Sequence, residues 1–168
     1  MLPEGAKYYS KMDIVKKWIP SIILIPVCYF FISNYPSYTL IDNFHLIVHE
    51  AGHLVFMFFG DYIHALGGTL MQLIVPIIFI YYFILAKNKF MLQSSIILIG
   101  HSFFNISVYA ADAQARKLPL LGGGKHDWYY LLGEIGLRES DKEVGLVFFY
   151  TGILFFITAL ILPIFSRD

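Results

Sequence analysis

The chain of 168 residues is 58% hydrophobic and 18% aromatic but only 14% charged, with a mean hydropathy of +0.66; soluble domains are roughly half apolar. Twelve basic residues balance twelve acidic ones, so the surplus positive charge that nucleic-acid binding needs is missing. A single cysteine, Cys28, excludes an internal disulfide and a cysteine-based zinc ribbon.

No Lys or Arg occurs between Lys17 and Lys87. Residues 1–17 read as a polar tail and 18–168 as one transmembrane domain. Apolar segments follow at 18–33, interrupted by Pro20 and Pro26, and at 43–59, 69–86, 90–111 and 144–165. Each approaches the roughly 20 residues that a bilayer crossing needs. Between the second and third, residues 60–68 form either a loop or a shallow re-entrant turn. The segment 128–137 (WYYLLGEIGL) reads as a short apolar helix, and Trp18 and Trp128 as interfacial anchors. The expected fold is an all-α integral membrane protein, a bundle of about five transmembrane helices plus a short interfacial helix. With the N-terminus cytoplasmic, nine basic residues fall inside and three outside (Lys87, Lys89 and Arg167), which follows the positive-inside rule.

The second segment contains His49, Glu50, Ala51, Gly52 and His53, an HExxH pattern. Residues four apart lie one turn apart on the same helix face, so two imidazoles converge on one metal, while Glu50 is rotated about 100° and can reach a water there. Zinc lowers the pKa of such a water toward neutrality, and a carboxylate acting as general base removes its proton for attack on a carbonyl. With six His in the chain, shuffling yields this pattern roughly 0.006 times, and ionisable groups inside membrane spans are functional candidates by default. His45 shares the stripe but lies about 12 Å of helical rise from His53, so it reads as interfacial or as a residue behind the ligands.

In the fourth segment His101, Asn105 and Asp112 share one face. Helix-to-helix hydrogen bonding and contact with metal or substrate are both open for them. His53 and His101 each sit about ten residues from the outer start of their spans, about 15 Å deep, which makes His101 a rival third ligand. Gln72 could orient a ligand, although packing beside Gly67 and Gly68 is the favoured reading.

The HEAGH element on an apolar span resembles the site-2 protease family of intramembrane zinc metalloproteases. That resemblance implies peptide-bond hydrolysis within the bilayer and a third ligand from an Asp at the start of a later membrane helix. The family's downstream order of Asn, Pro and Leu-Asp-Gly is echoed with stretched spacing by Asn105, Pro119, Leu120, Leu121, the glycines 122–124, His126 and Asp127. Among His101, Asp112, His126 and Asp127, the resemblance and the favourable N-cap position before Trp128 select Asp127 as the third ligand. His126 is then a neighbour for the ligands or the developing oxyanion, and Asn105 a hydrogen-bonding partner of the substrate backbone. The expected activity is that of a zinc metalloprotease acting on a membrane-embedded or juxtamembrane peptide. Two other classes stay open: a zinc-dependent intramembrane lipid amidase or esterase, and a metal-binding transporter or sensor. Glu50 argues against the last, because a transport site needs no general base.

Overall fold

The computed structural model describes residues 11–120 and 125–165. Most of the 1–17 tail and the glycine run 122–124 therefore lie outside the described residues. Six α-helices follow in order: α1 (Lys11–Asn34), α2 (Leu40–Phe56), α3 (Asp61–Leu85), α4 (Lys89–Ala111), α5 (Asp127–Glu134) and α6 (Asp141–Phe165). Among the described residues there is no strand. α1, α3, α4 and α6 are long and apolar enough to cross a membrane. α2, with 17 residues that include Asp42, Glu50 and three histidines, is outside that set.

α4 is the hub: 61% of its most apolar window is buried, against 17 to 22% for the other three long helices. Outward faces of α1, α3 and α6 expose Ile22, Phe30, Ile78, Leu85, Val147 and Leu154, an apolar surface suited to lipid. Two prolines dictate how α4 grips its neighbours. Pro76 and Pro163 lack an N–H, so the carbonyls of Gln72 and Ala159, four residues earlier, lose their helical partners. Side chains of α4 take over both roles, with Ser102 Oγ donating to the Gln72 carbonyl at 2.9 Å and Gln93 Nε2 to that of Ala159 at 3.0 Å. Gln93 Nε2 also reaches Ser21 Oγ of α1 at 2.9 Å. Aromatic and aliphatic side chains fill the space between α1, α4 and α6, among them Leu24, Ile97, Phe104 and Phe156.

Several boundaries differ from the sequence reading. α1 begins at Lys11, so residues 11–17 continue a helix instead of forming a tail. α3 begins at Asp61, eight residues before the expected 69, and the turn before it narrows to a short 3-10 segment (Met57–Phe59) and Gly60, at φ +86°. Residues 60–68 are thus neither loop nor re-entrant turn; Gly67 and Gly68 stay helical because their bare faces lie against α2. α5 is shorter than expected, and Gly136 (φ +71°) turns the chain after it. Trp128 is no interfacial anchor: it is 7% exposed, packed with Ile106, Leu131 and Leu132.

Candidate metal centre

α2 and α3 cross at Gly52 and Gly67, where a Cβ on either glycine would strike the other's carbonyl. The next glycine, Gly68, leaves the space that the His49 ring occupies; a Cβ there would fall on the imidazole. Small residues on α3 therefore set how closely the HExxH face approaches its neighbour.

α5 supplies the carboxylate. His126 is its N-cap, with Nδ1 accepting from the Tyr129 N–H at 3.2 Å, and Asp127 is the first helical residue instead of the expected cap. Freed from capping, Asp127 turns to α2: its Oδ2 lies 3.1 Å from His49 Nε2 and 3.3 Å from His53 Nε2. Tyr109 of α4 holds it there, donating its hydroxyl to Oδ2 at 3.0 Å and accepting the Asp127 N–H at 3.2 Å. Among the described residues, one ligand atom from each of His49, His53 and Asp127 forms a set within 4.8 Å of one another.

Proton accounting shows what this set can hold. Asp42 is the starting point. It accepts the Thr39 N–H and hydroxyl on Oδ2, both at 2.7 Å, and the Asn105 amide on Oδ1 at 2.9 Å. Asn105 must therefore present Nδ2 to Asp42 and Oδ1 to Gln72, whose Nε2 donates at 2.7 Å. Gln72 is left with Oε1 toward His49 Nδ1, 3.2 Å away, so Nδ1 carries the proton and donates. His53 Nδ1 likewise donates to the carbonyl of His64 at 2.8 Å. In its neutral form each ring, protonated on Nδ1, directs an Nε2 lone pair at the Asp127 carboxylate. Three electron-rich atoms at such spacing need a shared positive charge between them. A cation bound at about 2.0–2.1 Å in a tetrahedral site separates its ligands by about 3.3 Å, the spacing of both His–Asp127 pairs.

A cleft of about 510 Å³ opens on this cluster. Glu50, His53, Tyr109 and Asp127 line it, with Asp61 and His64 from α3, Tyr130 from α5 and Lys125 just before α5. Glu50 is half-buried and has its place in the wall next to the His–Asp cluster.

The other residues singled out in the sequence lie elsewhere. His101 is level with His45, not with His53; His45 Nε2 and His101 Nδ1 are 2.9 Å apart. His45 lies five residues into α2 and His101 twelve into α4, so equal counts from the helix starts do not place two residues side by side. His45 is fully buried, not interfacial. His126 Nε2 faces Asp112 Oδ2 at 3.5 Å, and Asp112 also accepts the N–H groups of Lys117 and Leu118. Asn105 has both amide atoms engaged within the protein. Asp42, Tyr109 and His64 were missed, although Asp42 lies seven residues before His49 on its stripe and Tyr109 one turn after Asn105.

No family model, curated protein or solved structure matches the chain.

Proposed function

We propose that the protein is a membrane-embedded zinc hydrolase that cleaves a peptide bond, with His49, His53 and Asp127 as ligands and Glu50 as general base. The observation that carries this reading is the convergence of two Nε2 lone pairs on the Asp127 carboxylate, with both Nδ1 protons committed to carbonyl oxygens. Zinc bound there would supply Lewis acidity that activates water at neutral pH. Glu50, in the wall of the same cleft, accepts the proton of the attacking water and delivers it to the leaving amine. The His126, Asp112 and Asn105 side chains hold the scaffold instead of touching substrate. A peptide suits the cleft better than an acyl lipid, because Ala65 and Leu120 are the aliphatic residues in a lining that also carries Glu50, Asp61, Lys125 and Asp127. Within this reading α2 is a fifth crossing, shielded by α3 and α4; α5 lies at the boundary of the bilayer, and the N-terminus is cytoplasmic.

Glu50→Gln tests the reading, since the amide keeps the shape and cannot take a proton. The purified variant is expected to retain about one zinc by elemental analysis. Its cleavage of a peptide library, read by mass spectrometry, should fall at least 10²-fold, the scale of a lost general base. Undiminished cleavage, or a protein purified without zinc, would overturn it.

A further inference from the structure

A second cavity, of about 300 Å³, adjoins the metal cleft, and the two share Leu120, Lys125 and Tyr130 in their walls. Arg116 and Arg138 complete it around Tyr129. Both guanidinium groups pack on that one ring, with Cζ 4.5 and 4.0 Å from its centroid. Arg138 is further fixed by its Nε donating to the Tyr129 carbonyl at 3.2 Å, and by Gly133, where any Cβ would collide with the guanidinium. Two like charges are thus held together beside a third, Lys125. Among the described residues none of the three forms an ion pair with a carboxylate. Asp112, on the neighbouring turn, spends its oxygens on the Lys117 and Leu118 amides and His126.

Guanidinium groups stacked on an aromatic ring keep their N–H edges available for an anion. The metal cleft carries Glu50, Asp61 and Asp127, so charge changes sign along the continuous groove from acidic to basic. From this juxtaposition we infer that the substrate peptide carries a carboxylate close to the scissile bond, seated between Arg116, Lys125 and Arg138. The carboxylate belongs to an acidic side chain or to the peptide's own C-terminus. This inference rests on the peptide-hydrolase reading for its occupant, and on the basic pocket alone for its charge. A lipid phosphate is disfavoured because Ala65 and Leu120 are the aliphatic residues that the two cavities offer an acyl chain.

The test is binding, measured by fluorescence anisotropy on the purified full chain in neutral detergent. Three sets of labelled hexapeptides serve as probes: a Glu scanned through C-terminally amidated peptides, the same peptides with Gln, and Gln peptides with a free C-terminus. At one position Glu should bind about tenfold more tightly than Gln, or the free acid more tightly than the amide, as one charge-assisted contact provides. The preference should shrink as salt is raised and vanish in Arg116→Gln/Arg138→Gln. Lys125→Gln, at an exposed loop position, should reduce it about threefold without burdening the fold. Equal binding of acid and amide throughout, a preference that survives these variants, or displacement by phosphatidylglycerol micelles but not by acidic peptide would overturn the proposal. Zinc and cleavage assays on the same samples separate the two failures. Cleavage without an acidic preference removes the pocket's role alone, whereas an acidic preference in a protein without zinc removes the hydrolase and leaves the pocket.

Discussion

Two histidine pairs involve the same stripe of α2, one within it and one shared with α4, and they differ in chemistry. His45 meets His101 with stacked rings, centroids 5.0 Å apart and planes 12° apart, and the two share one hydrogen bond. Phe31 covers His101 at 4.2 Å between centroids, and among the described residues no carboxylate is hydrogen-bonded to the pair. A single proton between two neutral rings satisfies that contact, and His45 Nδ1 is left without a hydrogen-bond partner among the described residues. His49 and His53 instead spend their Nδ1 protons on Gln72 and the His64 carbonyl and turn both Nε2 atoms to Asp127. The lesson is that imidazoles at helical spacing do not by themselves make a metal site. Acceptors behind the rings, which fix the tautomer, and an anion in front make the difference.

Exchanging the two pairs' fortunes is the most severe test of this contrast. His49→Ala or His53→Ala should abolish zinc retention through dialysis, read by elemental analysis, while His45→Ala and His101→Ala retain it and lower thermal stability only. The relay behind His49 should have a smaller effect. Gln72→Leu removes the oxygen that accepts the Nδ1 proton and should weaken zinc 10- to 100-fold in competition with a chelating dye, the usual cost of losing such a partner. Gln72→Glu keeps an acceptor and should restore most of the affinity. Asp42→Asn, two hydrogen bonds further away, releases Asn105 to rotate and should cost less than Gln72→Leu. Equal losses from His45 and His49 variants would erase the distinction between the pairs.

The sequence displayed the proposed ligands and hid what orients them. HExxH is legible because its chemistry is local: two ligands and a base within five residues of one helix. Asp127 lay within reach of capping chemistry and a family resemblance, yet its contact with α2 spans 74 positions and depends on how α5 packs. Gln72 looked like packing because its amide orientation is fixed by Asp42 and Asn105 on two other helices. The start of α3 was blurred, but the reading of Gly67 and Gly68 as small residues for close helix approach matches their place against α2. Trp128 read as a lipid-interface anchor because hydropathy is silent about which face of a short helix turns inward.

X-ray absorption at the zinc edge, on the full-length protein purified without added chelator, tests the ligand set most directly. The account predicts about one zinc per chain, four-coordinate, with two imidazole nitrogens and two oxygens at about 2.0–2.2 Å, and loss of one oxygen scatterer or of the metal in Asp127→Ala. A spectrum with three imidazoles, which would bring in His101 or His126, or a protein that takes up no zinc, would contradict it.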